Sequence, residues 1–155
     1  MNAAGSLYFA DEGYLTWQKN LVEPYLKQCQ KYAYFHSYDG AAIFYQQYLA
    51  AGADTCIVIS HGFSEFAEKY NEVIYYFLQH GCSVYILEHR GHGYSEREVS
   101  DDQKVYIRDF EDYIKDLDCF MKKNELPDGA APHLICTFHG RCGRGALYRG
   151  TSESI

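Results

Sequence analysis

Two short, unbroken apolar runs constrain this chain more than any other feature: Cys56–Ile59 within DTCIVISHG, and Val84–Leu87 within CSVYILEHRGHG. A strand with one wet face alternates apolar and polar residues. Apolar residues in unbroken succession therefore imply cover on both faces, as in a parallel sheet between helices. The segment between the runs has helical spacing, with Tyr70, Val73, Ile74, Phe77 and Leu78 recurring at threes and fours until Gly81 ends the pattern. After the second run, Ile107, Phe110, Ile114, Leu117 and Met121 predict one face of a second helix. Ser100 or an aspartate beside it would cap that helix, and Lys122 and Lys123 would suit the negative end of its dipole. Asp128–Gly129 then turns the chain into a third apolar run, PHLICTF. Strand, helix, strand, helix, strand predicts an α/β fold of parallel strands with right-handed crossover helices.

Ahead of this unit, Lys31–Ala50 reads as two alternating aromatic stretches split by Asp39–Gly40, the pattern of a β-hairpin, which would supply an antiparallel edge. Tyr14–Gln30 predicts a short helix interrupted at Pro24. The expected organisation is a partly helical N-terminal extension over 1–30, one α/β body over 31–137, and a tail over 138–155 of different character. A length of 155 residues suits one such body and not two.

Charge and cysteine usage narrow the partners. A net charge of −7 argues against a nucleic-acid ligand. Cys56 and Cys82 lie at the starts of apolar runs, where a reduced thiol behaves as a small hydrophobe. The opening MNAAGSLYFADEG has neither the basic nor the apolar region of a secretory leader, and no apolar run nears the roughly 20 residues of a membrane span. The expectation is a cytoplasmic location with free thiols and no transmembrane segment.

Chemistry concentrates where the strands end. HGFSEF, His61–Phe66, leaves the first buried strand, and HRGHGYSE, His89–Glu96, leaves the second. Open α/β sheets build their sites at these carboxyl ends. Acyl transfer passes through a tetrahedral oxyanion, and a backbone N–H aimed at that oxygen lowers the barrier by several kcal/mol. His-Gly alone reads more readily as a tight strand-to-helix turn; Glu65 and the second stretch reverse that preference.

The two stretches together resemble the α/β-hydrolase superfamily, in the branch of lysophospholipases, monoacylglycerol lipases and S33 serine aminopeptidase-like hydrolases. There, one strand ends H-G-x-x-E and the next ends in a D- or E-x-R-G-x-G-x-S turn. Here the matching residues are His61, Gly62 and Glu65, then Glu88, Arg90, Gly91, Gly93 and Ser95. The resemblance extends over Tyr32–Thr137. It implies the N-terminal half of an α/β-hydrolase sheet and hydrolysis of a small acyl ester, a lysophospholipid or a monoacylglycerol, without a cofactor. It assigns the Phe63 amide as an oxyanion-hole donor and makes the Glu88–Ser95 turn structural, with Arg90 or His89 bracing neighbouring loops. Ser95 lacks the glycine two residues later that a nucleophile elbow requires. His89 and His92 lack the Cys or carboxylate spacing of a metal site, so no metal is expected.

In that family the nucleophile sits in G-x-S-x-G directly after the third strand, at about Phe138–His139 here. The chain reads TFHGRCGRG instead. Cys142 as a substitute nucleophile meets Arg144 where a small residue is needed, and Cys136, His139 and Cys142 lack a fourth metal ligand. From His139 onward the tail carries Arg141, Arg144 and Arg149 against Glu153, a charge of +2 after a body of −9. Codons exist for Phe138–Ser154 that, read one base on, give S-M-G-G-A-V-G-A-L-Y-I-E-E-H-P-S. Loss of one CA from ACACATTCC after the strand would produce the tail as written. The resulting expectation is a frame-shifted, truncated ester hydrolase, inactive because its nucleophile is lost and its acid, base and cap would lie beyond Ile155. The alternative is a non-catalytic, hydrolase-derived binding module.

Overall fold

The fold follows from which residues find cover on each side of one sheet. The computed structural model describes residues 13–101, 104–123 and 131–136. Its strands are β1 Gln30–His36, β2 Ala42–Tyr48, β3 Thr55–Ser60, β4 Ser83–Leu87 and β5 Ala131–Cys136, in the spatial order β1-β2-β4-β3-β5. β3 lies parallel to both β4 and β5, whereas β2 is antiparallel to β1 and β4. The hairpin and the parallel unit thus take the expected form. Gly40 supplies a φ of 92° in the turn, and the Asp39 carboxylate accepts the Ala41 amide at 3.2 Å.

The apolar runs are unbroken because side chains leave each strand to opposite faces and both faces are covered. Ile57, Ile59, Val84 and Ile86 pack on one face with Val22, Leu26, Ile74 and Leu78. Cys56, Val58, Tyr85 and Leu87 pack on the other with Phe35, Ile43 and Phe120. On the first face, α3 (Asn71–Gln79) follows a 3-10 turn over Ala67–Tyr70. It ends as its sequence predicts: Gly81 has φ 76°, its N–H donates to Leu78 O, and the Cys82 N–H donates to Phe77 O. Of its predicted apolar stripe, Ile74 and Leu78 are buried, Tyr70 and Phe77 half-buried, and Val73 faces solvent.

Two expectations need correction. The N-terminal helix is not interrupted at Pro24. α1 (Tyr14–Trp17) runs through a π-turn over Gln18–Val22 into α2 (Glu23–Cys29). Pro24 falls in the first turn of α2, just after the wide turn in which the Glu23 N–H reaches back to Gln18 O, so its missing N–H is tolerated at the changeover. This run places Val22 and Leu26 in the core, and the Trp17 ring meets Tyr75 of α3 edge-on at 5.5 Å.

The second correction concerns α4, which spans Glu111–Lys123 and does not begin beside Ser100. Asp109 opens it, accepting the Glu111 N–H on Oδ1 at 3.0 Å. The helix is also rotated from the predicted stripe: Asp112, Tyr113, Asp116 and Phe120 are buried, Leu117 and Met121 of the stripe pack against the core beside them, and Ile114 and the preceding Phe110 are exposed. Aspartates displace aliphatic residues from the buried face because partners for them stand on the sheet side, as described below.

Candidate functional site

Ser60 of β3 pairs with Leu87 of β4, so the loops that follow both strands emerge together at the carboxyl edge of the sheet. In the first, residues 61–66, three backbone amides are already committed. The Gly62 N–H donates to Glu65 Oε2 at 2.8 Å, the Ser64 N–H to His92 Nε2 at 3.2 Å, and the Glu65 N–H to Gly62 O at 3.1 Å. The Phe63 N–H has no acceptor among the described residues. Glu65 also accepts the Tyr70 hydroxyl at 2.6 Å, and this bond, with the Gly62 amide, holds its carboxyl below the usual range. Ser64 adopts a left-handed φ of 63°, alone in doing so among the described non-glycine residues.

The second loop, 88–96, folds around the buried Glu88. Glu88 Oε2 accepts the Tyr94 N–H at 2.8 Å, and burial raises its carboxyl pKa. At Gly93, whose φ is 44°, a Cβ would lie 1.9 Å from Glu88 Oε2 and would displace that buried carboxylate. At Gly91, whose φ is 78°, a Cβ would come within 3.0 Å of the Tyr106 carbonyl. Ser95 is buried, with its hydroxyl donating to the Glu88 carbonyl and accepting the Phe44 N–H at 2.8 Å.

Arg90 points away from the first loop. Its Nε and Nη2 reach Asp116 of α4 at 2.8 and 2.6 Å, and its Nη1 and Nη2 reach Asp39 of the hairpin turn at 2.9 and 3.2 Å. Two bidentate pairs on a guanidinium that is 3% exposed tie the hairpin, the loop after β4 and α4 together. Ser37 donates to Asp116, and Tyr38 donates to Asp112, which the Lys115 ammonium also meets at 3.2 Å.

The sequence gives no direct sign of how three histidines meet here. The rings of His61, His89 and His92 lie 4.7 to 6.3 Å apart, all buried, with the Tyr113 ring of α4 4.7 Å from His89. Burial lowers the pKa of His61 to about 4 and of His89 to about 3, and lowers that of His92 as well. All three are therefore neutral at neutral pH. His61 spends both ring nitrogens, on the His89 N–H and Gly62 O, and so does His92, on the Ser64 N–H and Arg90 O, while His89 turns Nε2 to His61 O and Ser60 Oγ. No group of three metal-capable side chains is arranged to hold an ion among the described residues. The available signal was indirect, since H-G and H-R-G-H end strands that a parallel crossover makes neighbours.

The structure thus brings His61, Phe63 and Ser64 against His92, holds Gly62 on Glu65, and turns Arg90 to Asp116 and Asp39 instead. Phe138, His139 and Cys142, on which the nucleophile question turns, lie outside the described residues. No described helix is long and apolar enough to cross a membrane, and Cys29, Cys56, Cys82 and Cys119 are free thiols.

Comparison with known proteins gives a consistent result. The family model described as serine aminopeptidase, S33, matches residues 51–139. Lysophospholipase L2 of Escherichia coli (strain K12) is 32% identical over 95 residues, covering 61% of this chain and 28% of its own. A monoacylglycerol lipase of Mycolicibacterium smegmatis is 37% identical over 60 residues, covering 39% of this chain and 20% of its own. The chain therefore spans less than a third of the length of these relatives. Among solved structures, the Pyrococcus furiosus esterase Pf2001 superposes with a TM-score of 0.57 at 22% identity, over 72% of this chain and 44% of that one. DcsB, in complex with its substrate analogue, superposes with a TM-score of 0.58 at 22% identity, over 69% and 37%. Both share the α/β-hydrolase fold seen here.

Proposed function

Because this chain belongs to the family described as serine aminopeptidase, S33, we propose that its carboxyl-edge loops are the oxyanion half of a carboxylic-ester hydrolase site. The substrate class is a lipid acyl ester, a lysophospholipid or a monoacylglycerol, in line with the names of the relatives. The observation that carries the reading is the Phe63 amide, left without an acceptor between neighbours whose N–H groups are all engaged. In the reaction a nucleophile placed after β5 attacks the ester carbonyl. The carbonyl oxygen gains the charge, and the Phe63 N–H stabilises it by a few kcal/mol. The reaction draws on no cofactor. The cytoplasm, where thiols stay reduced, suits the free cysteines.

The sequence holds no G-x-S-x-G. We read the tail over 138–155 as out of frame, so the chain as written binds but does not turn over an ester. The test begins with the gene. DNA resequenced from the Leu134 codon onward is expected to show a missing CA after the Thr137 codon, with the repaired frame opening on H-S-M-G-G. The repaired protein is expected to release fatty acid from lysophospholipid or monoacylglycerol, and to lose that activity when the restored serine becomes alanine. A frame that stays closed, with the tail intact, overturns the hydrolase reading in favour of the non-catalytic binding module.

A further inference from the structure

We propose that His61 and His92 form a reciprocal clasp between the two loops and act as positioning residues that keep the Phe63 amide free, an inference that rests on the oxyanion reading above. The argument begins with proton bookkeeping on each ring. The Ser64 N–H can only donate, so His92 Nε2, 3.2 Å away, carries no proton. The ring's single proton is then on Nδ1, which donates to the Arg90 carbonyl at 3.2 Å. His61 repeats the arrangement in the other direction. Its Nε2 accepts the His89 N–H at 3.2 Å and its Nδ1–H donates to Gly62 O at 2.8 Å. Each ring therefore takes an amide from the opposite loop and gives its proton to a carbonyl of its own. His89, by contrast, points Nε2 at two oxygens, His61 O at 3.1 Å and Ser60 Oγ at 3.0 Å; because the carbonyl can only accept, its proton is on Nε2, the opposite tautomer.

The clasp acts on the residue that needs it. A serine at φ 63° is strained, and it persists only where surrounding contacts fix it. Its N–H is held by His92, and the His92 ring also meets the Phe63 ring edge-on at 5.7 Å. Both sides of the Phe63 amide are thereby fixed: Gly62 by Glu65, and Ser64 by His92.

The groups facing the clasp are His89, Tyr113 of α4 at 6.3 Å from His92, and the charges of Arg97, Lys69 and Glu65. Protonation of His92 would set a second N–H against the Ser64 N–H and break that bond. The lowered pKa values of both clasp histidines keep this from occurring near neutrality.

The test is NMR of the full chain labelled with 15N-histidine. His61 and His92 are expected as Nδ1–H tautomers, the less common form of free imidazole, and His89 as Nε2–H. An Nε2–H tautomer at His61 or His92 overturns the proposal. In a second arm, His92→Gln retains an acceptor near Nε2, whereas His92→Phe removes it and keeps the ring. Exchange of the Ser64 amide is expected to accelerate about tenfold in the Phe variant, the loss of one hydrogen bond, and to return to near the wild-type rate in the Gln variant. Amides of β3 and β4 should be unchanged. Equal Ser64 protection in all three proteins sinks the clasp. If the Phe variant does not fold, the wild-type tautomers and the Gln variant decide. Failure of the hydrolase reading looks different: the clasp signals remain while the frame-repaired protein releases no fatty acid.

Discussion

α3 and α4 cover opposite faces of the same sheet by different means. α3 presents Ile74 and Leu78 to Ile57, Ile59, Val84 and Ile86, and ends at a glycine. α4 sets Phe120 into its face of the core, flanked by the half-buried Leu117, Cys119 and Met121, and buries Asp112 and Asp116 on the same side. An aliphatic stripe needs only an apolar surface, whereas an inward carboxylate is tolerated only if a partner waits for it. Arg90, Ser37, Tyr38 and Lys115 are those partners, and they come from the hairpin turn, the loop after β4 and the helix itself. The site therefore leans on α4 more than on α3, since the residue between His89 and Gly91 is the one that anchors α4.

The contrast breaks hardest at Arg90. Arg90→Met leaves the buried Asp116 carboxylate without its cation, unties the exposed Asp39 from it, and is expected to cost about 3 to 5 kcal/mol by urea denaturation. A loss under about 1 kcal/mol would mean that the apolar packing around Phe120 docks α4 without the ion pairs.

Acid separates the two kinds of support. The folded-state pKa of His61, about 4, lies below its ordinary 6.5, so its neutral form stabilises the fold fully above pH 6.5. That contribution, on the order of 3 kcal/mol, is lost as the pH falls from 6.5 towards 4. His89 and His92 shift in the same direction. The carboxyls of Asp39 and Asp112, held low chiefly by Arg90 and by the Tyr38 hydroxyl respectively, keep their charge through this window. Amides of residues 61–66 should therefore lose exchange protection before those of 111–123 as the pH falls; simultaneous loss contradicts the distinction.

Smaller substitutions sharpen the picture. Ile74→Val removes one methyl from the fully buried face of α3 and is expected to cost about 1 kcal/mol. Ile114→Gln, on the face that sequence periodicity assigns to the core but the structure exposes, should change stability by no more than about 0.5 kcal/mol. A loss of 2 kcal/mol at Ile114 would restore the predicted stripe.

Legibility followed the range of the interactions. β3 and β4 could be read because burial on two faces writes itself into adjacent residues, as TCIVIS shows, and the hairpin because Asp39–Gly40 carries its turn locally. The end of α3 could be read because Gly81 carries the left-handed turn locally. Pro24 was misjudged because a π-turn just before it supplies a place for the missing N–H, and nothing in the adjacent residues announces that turn. The α4 face was misjudged because periodicity counts an aspartate as solvent-facing whatever stands opposite it.

The sequence by itself determined the element order, the parallel unit with its antiparallel hairpin, and the paired strand-end motifs that mark the carboxyl edge. The tertiary structure alone decided which way Arg90 turns, which face of α4 is buried, and how His61 and His92 exchange partners across two loops. These contacts join residues 26 to 79 positions apart, such as Arg90 with Asp116 and Ser37 with Asp116. A buried charge or imidazole is favourable only when its partner arrives from elsewhere in the chain, and that arrival is a property of the folded sheet, not of any local run of residues.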